Sequence, residues 1–225
     1  MLLLVSTWGA RTNAAIRPYM NEKKVPQLFV ADTDPSNEDP AHYPWAMGFQ
    51  ACKRAEAAAY AKYILQNKPN AKIAVLCSED PSGEEWRLGL HDGLGARAAA
   101  LIVKEVSFAY SDPGGLDAQV EAAKSSGADV FMDLTVGKFA TRAISRAYDL
   151  GWHPRQFIPN ASLSIAAFLE PAGLEKATGI VSNARSKGWL SPQSQRDPAE
   201  REFLDWMKRY LEMPTMSMVM KWRKP

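Results

Sequence analysis

Long apolar runs are absent from this chain. No stretch approaches the ~20 apolar residues of a membrane span, so direct membrane insertion is not expected. The apolar opening, Met1-Leu2-Leu3-Leu4-Val5, has no charged segment ahead of it and is too short for the core of an export signal, so a soluble chain without one is expected. Histidine and cysteine are scarce, at 3 and 2 residues. His42, His91 and His153 are scattered without metal-site spacing, and each reads as a surface residue. Cys52 and Cys77 have no Cys-x-x-Cys neighbour and read as buried free thiols, which leaves the compartment open. Charge of one sign is lacking too: 27 Lys and Arg against 25 Asp and Glu leave a net +2. That gives no footprint for nucleic acid or a membrane surface, both of which need basic residues gathered on one face.

Catalytic signatures are missing as well. There is no G-x-S-x-G elbow, no H-E-x-x-H and no G-x-x-x-x-G-K-[ST]. Gly89, Gly93 and Gly95 fall in a helix and its end, not in the strand-to-helix turn of a dinucleotide site. Thr135-Val136-Gly137-Lys138-Phe139 shares Gly-Lys with phosphate loops, but Phe139 stands where a magnesium-binding hydroxyl is needed. Glu84-Glu85 open a helix, where acidic side chains complement the dipole. The expectation is no catalytic step, no cofactor and no metal.

What is present is a repeated order of strand, tight turn and helix. The run 71–76 is apolar and breaks at Ser78-Glu79-Asp80-Pro81-Ser82-Gly83, after which a helix runs over 84–99. The order returns at 128–134, which runs into Thr135-Val136-Gly137 and a helix over 140–150 ended by Gly151. It also occurs at the start, where 2–5 reads as a buried strand and 12–20 as a helix, capped by Thr12 or Asn13 and shortened or kinked by Pro18. Repeated β-turn-α units predict an α/β fold with a parallel sheet, in one large or two small domains. Further strands are expected at 27–31, 101–106, 156–159 and 178–184, with a short extended piece at 45–49. Helices are expected at 52–66, 116–125, 165–169 and 198–211. Three prolines make 32–44 an irregular loop, and the methionine-rich tail after 211 has no period.

In open parallel sheets ligands bind where the strands' carboxyl ends meet the loops. The turns there are Trp8-Gly9-Ala10, Asp32-Thr33, Ser82-Gly83, Val136-Gly137 and Asn160-Ala161. Backbone N–H groups at helix N-termini with a hydroxyl alongside suit a carboxylate or another small anion.

The segments RTNAAIRPYMNEKKVPQLFVA, AHYPWAMGFQ, AAAYAKYILQNKPNAKIAVL, HDGLG, DPGGLDAQVEAAKSSGADVF, FATRAISRAYDLGW and LEPAGLEKATGI follow one another over 11–180, within a resemblance that covers about 4 to 210. In order and spacing they resemble the substrate-binding proteins of branched-chain amino acid type ABC transporters, the type I periplasmic binding fold. That resemblance implies Rossmann-like parallel sheets with helices on both faces, in two lobes joined by crossing strands and closing by a hinge. It implies a partial first lobe at 1–48, a second lobe at 49–182, and a crossover, returning helix and irregular tail at 183–225. The chain would thus be truncated at both ends, with its first lobe incomplete and apolar sheet surface uncovered. The implied location is periplasmic. The implied partners are a small solute and a membrane permease, without cofactor or nucleic acid.

In relatives that bind amino acids, the resemblance implies that first-lobe hydroxyls and N–H groups take the carboxylate. Acidic and aromatic groups of the second lobe help take the ammonium. Aligned here, the first-lobe positions are Trp8, Gly9, Ala10, Asp32 and Thr33, of which Thr33 keeps a hydroxyl and Ala10 does not. The second-lobe positions are Ser82, Val136, Gly137 and Asn160, none of them acidic or aromatic. A buried ammonium without a charge partner is costly. The ligand class therefore widens from an amino acid to an aliphatic or aromatic carboxylate. The alternative is a ligand-sensing domain of a receptor or regulator with the same fold.

Overall fold

The computed structural model describes residues 2–112, 114–184 and 196–210. The chain falls into two compact units, Met1–Asn183 and Ala184–Pro225. The first holds two parallel sheets.

The smaller sheet contains β1 (Leu4–Val5), β2 (Gln27–Val30) and β3 (Ala46–Gly48), in that spatial order. Helix α1 (Ala10–Glu22) connects β1 to β2. The expected buried strand at 2–5 is only two residues long, and Val5 is 55% exposed. Among the described residues it is an edge strand, paired with β2 alone. The expected cap at Thr12 or Asn13 gives way to Gly9, because the helix begins two residues earlier. Pro18 does not stop the helix, which runs on to Glu22 with the exposed proline inside it. The 32–44 loop is not wholly irregular: Pro35 opens a 3-10 turn at Pro35–Glu38, and the Asp34 carboxylate accepts from Ser36 N–H at 2.9 Å.

The larger sheet has the order β5-β4-β6-β7, all parallel: β4 (Ile73–Ser78), β5 (Ile102–Phe108), β6 (Val130–Asp133) and β7 (Arg155–Phe157). It is covered by α2 (Lys53–Asn67) and α3 (Pro81–Leu94) on one face. The other face carries α5 (Gly115–Ser125) and α6 (Lys138–Asp149), while a short α4 (Ala98–Leu101) leads into β5. All six residues of β4 are buried, as an apolar run covered on both faces requires. Ile73, Val75 and Cys77 pack with Tyr60, Trp86 and Leu90, whereas Ala74 and Leu76 pack with Leu116, Val120 and Ala143. Both cysteines are free and buried.

Two glycines allow α3 to approach α2. A Cβ on Gly89 would lie 2.2 Å from the Arg54 carbonyl oxygen, and one on Gly93 would lie 2.6 Å from Ala61 Cβ. Helix α3 starts on Asp80, whose carboxylate accepts from Gly83 N–H at 2.9 Å, followed by Pro81 at the first position. The expected helix at 84–99 is interrupted at Gly95 (φ +57°) and resumes as α4. Helix α6 ends with Gly151 N–H on the Tyr148 carbonyl and Trp152 N–H on Ala147, the paired bonds of a Schellman cap.

After β7 come a 3-10 turn at Asn160–Ser162, a π-helical turn at Ile165–Leu169 and the short α7 (Glu170–Ala172). The expected strand at 178–184 shrinks to one bridge, Val181 to Phe157. Its first half is held in turns, with Thr178 and Ile180 N–H bonded to Glu175 and Ala177 carbonyls and Gly179 at φ +86°. In the second unit, α8 (Pro198–Tyr210) is amphipathic, with Phe203, Trp206 and Tyr210 exposed. The tail from 211 lies outside the described residues.

Candidate solute-binding site

From β4 the chain crosses to β5 on one side, and then to β6 on the other. This reversal of direction marks the carboxyl ends of β4 and β6 as the place where open α/β sheets take their ligands. Leu76 and Asp133 are paired in register just below it. Ser82, in the first turn of α3, stands above β4; Val136 and Gly137 stand above β6. The Ser82 hydroxyl makes no hydrogen bond among the described residues.

Gly137 is the N-cap of α6 at φ +63°, and no side chain caps that helix. A positive φ suits glycine because it has no Cβ. Its N–H points to the Ser162 hydroxyl at 3.3 Å, which ties the β6 turn to the turn after β7. Gly9 repeats the arrangement above β1: it is the N-cap of α1, φ is +101°, and no side chain caps it. Three strand-following helices, α1, α5 and α6, open on a glycine without a cap bond of its own, but only those of α1 and α6 are at positive φ, each inside a turn marked from sequence. Such ends present positive backbone dipole to a small anion.

The remaining predicted residues are placed as follows. Trp8 is 77% exposed and bridges to Ala31, and Ala10 is the first residue of α1. Asp32 is turned inward: its carboxylate accepts from Asn13 Nδ2 at 2.5 Å, from Asp34 N–H at 2.9 Å and from Asn37 Nδ2. Asn37 in turn accepts from the buried Arg17 guanidinium at 2.9 Å. Thr33, half-buried beside it, has no hydrogen bond to its hydroxyl among the described residues. Asn160 donates its side-chain amide to the Asn183 carbonyl at 2.8 Å. Ser82 and Val136-Gly137 thus follow the adjacent strands β4 and β6, Asn160 lies at the next connection, and Trp8, Gly9, Ala10, Asp32 and Thr33 belong to the smaller sheet.

Two groups at the larger sheet's carboxyl edge escaped the sequence reading. Tyr110 follows β5 directly, with its ring 5.0 Å from Phe139 and 5.2 Å from Phe108. Burial pushes its phenol up and the Asp80 carboxylate adds to this, against the Ser78 hydroxyl. An end to β5 at 106 hid it; the Ser107-Phe108-Ala109-Tyr110 alternation carries the signal. Asp133 is fully buried at the end of β6, held by Thr135 Oγ1 at 2.6 Å and Gln156 Nε2 at 3.0 Å. Burial pushes it up to about 7. A concavity of about 280 Å³, lined by Tyr148, His153, Arg155 and Lys176 among others, lies at the opposite, amino end of β7. No metal-holding group of His, Cys, Asp or Glu occurs among the described residues.

A family profile described as "Periplasmic binding protein" matches residues 1–222. This chain belongs to the periplasmic binding protein family. Among curated protein sequences none matches it. Among solved structures it is similar to a leucine binding protein, LivK, of Thermotoga maritima: 18% identity, TM-score 0.73, covering 95% of this chain and 59% of that one. It is similar to an extracellular ligand-binding receptor of Verminephrobacter eiseniae, at 19% identity and TM-score 0.72, covering 94% and 59%. A branched chain amino acid ABC transporter protein of Thermus thermophilus, solved with bound valine, matches at 17% identity and TM-score 0.66, covering 81% and 46%. The fold is the type I periplasmic binding fold, α/β with parallel sheets and helices on both faces, as the resemblance implied. The chain spans about half the length of the solved proteins it matches. No helix among the described residues is long and apolar enough to cross a membrane.

Proposed function

We propose that this chain is the solute-binding component of an ABC transporter, which captures a small amino acid or an aliphatic or aromatic carboxylate and delivers it to a membrane permease from the periplasmic side. The observation that carries the reading is the pair of uncapped glycine N-caps, Gly9 and Gly137, on two sheets of a periplasmic binding protein. In this reading 1–48 belong to one lobe and 49–182 to the other, and the chain crosses back at 183. The N–H groups of 9–10 and the Thr33 hydroxyl hold the carboxylate from the first. Ser82, Val136 and Gly137 close on the solute from the second, with the Trp8 ring as an apolar wall. Asp32 and Asn160 act through the backbone they hold, since their side chains are already engaged. The protein does no chemistry; lobe closure gives the permease a surface to read.

The second-lobe positions lack a carboxylate, but Tyr110 supplies an aromatic edge that favours acids with an apolar or aromatic body. A thermal-shift screen of the whole chain against L-leucine, L-phenylalanine, octanoate and 4-hydroxybenzoate tests the reading. Saturable stabilisation by one class supports it and names the class. No shift with any of them would leave the binding role without support.

A further inference from the structure

Glu56 is a carboxylate buried in the first turn of α2, and Tyr60 lies one turn further on. The carboxylate accepts from the Tyr60 hydroxyl at 2.8 Å and from the Asn160 backbone N–H at 2.7 Å. The Tyr60 oxygen accepts from Asn183 N–H at 3.2 Å and lies 2.9 Å from the Ile158 carbonyl and 3.5 Å from Ser182 Oγ. Asn160 Nδ2 donates to the Asn183 carbonyl at 2.8 Å, and Ser182 Oγ donates to the Ile158 carbonyl at 2.9 Å. Both backbone groups of Asn183 are therefore held by side chains, where β-ladder bonds would ordinarily hold a strand.

The same carboxylate sits just past the chain's arrival at this sheet. Glu56 N–H bonds to the Cys52 carbonyl at 3.0 Å, and Cys52 N–H donates to Glu38 Oε1 at 3.2 Å. Residues 52–56, 158–160 and 182–183 meet through one carboxylate and one phenol, and Tyr60 and Asn183 are 123 positions apart in sequence. Burying a carboxylate among polar partners costs free energy that an apolar contact would not, so such a node serves geometry more than stability. Asn183 is also the last residue of the first compact unit.

We propose that Glu56, Tyr60 and Asn160 form a positioning latch, which fixes the chain's departure at Ser182–Asn183 against its arrival at Cys52 so that the two connections bend as one hinge element. None of the three touches a solute through its side chain. The consequence for lobe closure rests on the function proposed above, but the latch itself can be tested without a ligand.

The test is amide hydrogen exchange on the whole chain, wild type against Tyr60→Phe, Glu56→Ala and Glu56→Gln. Tyr60→Phe keeps the ring that packs against Phe157 and removes the hydroxyl. Amides of 158–162 and 182–184 are expected to exchange about tenfold faster, the weight of one lost hydrogen bond, with β4 and β6 unchanged. Glu56→Ala should do the same, and Glu56→Gln, which keeps an acceptor oxygen, should restore protection. Uniform acceleration through the chain, with Glu56→Gln no better than Glu56→Ala, would reduce the node to ordinary packing and overturn the proposal. So would unchanged exchange at 182–184. If Tyr60→Phe does not fold, Asn160→Ala, which removes only the grip on the Asn183 carbonyl, carries the same expectation. A wild-type chain that binds no solute would remove the proposed function while leaving these exchange rates to decide the latch.

Discussion

Gln156, one strand away, donates to the Asp133 carboxylate at 3.0 Å, and together with Thr135 it supplies polar contact to a side chain with no access to water. Burial favours the neutral acid and raises this group from 3.8 to about 7. A raised acid binds its proton more tightly when folded. Its contribution is therefore full below the ordinary carboxylate range and is lost as pH rises through about 7. The loss is at most about 4 kcal/mol, from a rise of about three units at 1.36 kcal/mol each. Asp39, Glu84 and Asp117 are held low by His42, Arg87 and Arg142 and act in the opposite sense, so the total profile mixes signs. The difference between wild type and Asp133→Asn isolates the buried group. Urea unfolding from pH 5 to 8 should show the variant gaining on the wild type as pH rises, and a flat difference would refute the assignment.

Close approaches of α3 to α2 and to the end of β4 give a second expectation. Gly89→Ala puts a methyl 2.2 Å from the Arg54 carbonyl and Gly83→Ala puts one 1.9 Å from the Ser78 carbonyl, both backbone atoms that cannot swing away. Each should cost about 2 kcal/mol or more through overpacking. Gly127→Ala, with nothing within 4 Å and φ +71°, should cost only about 1 kcal/mol. Thermal melts of the three variants rank them, and equal losses would contradict the close approach.

The glycine N-caps give the third. Gly9→Ala and Gly137→Ala put a side chain on a positive φ, at about 1 kcal/mol of stability each. They should also displace the helix-opening amides and weaken binding of a stabilising carboxylate by about tenfold, the scale of one hydrogen bond to a charged group. Calorimetry on folded variants measures this, and unchanged affinity in both would place the solute elsewhere.

The smaller sheet carries exposed apolar side chains. Phe49 is 70% exposed and Phe29 45%, their rings 6.2 Å apart edge to face, and Met47 on β3, two residues before Phe49, is 42% exposed. Apolar surface of this kind drives association. Sedimentation of the chain should show concentration-dependent self-association, reduced by Phe49→Ser. A clean monomer at all concentrations would contradict it.

Much of this architecture is written in local pattern. Residues 73–76 and 130–132 are apolar without alternation, as a strand covered on both faces requires, and both lie in central strands. Gly151 ends its helix at positive φ, as its position predicts. Long-range partnership is not written there. Asn13 has the chemistry of a helix cap, but it lies inside the helix and bonds to Asp32, 19 positions away. Asp32 sits at a strand end like a ligand group, yet three inward donors claim it. The Glu56–Tyr60 pair has helical spacing, and nothing near it in sequence announces that Asn183 completes the contact.

The most direct test of the account is an amide chemical-shift titration of the isotopically labelled chain with the carboxylate that best stabilises it. The account predicts saturable shifts concentrated at Gly9, Ala10, Thr33, Ser82, Val136 and Gly137. Shifts gathered instead around Tyr148, His153 and Arg155 at the far end of β7, or none at all, would contradict it.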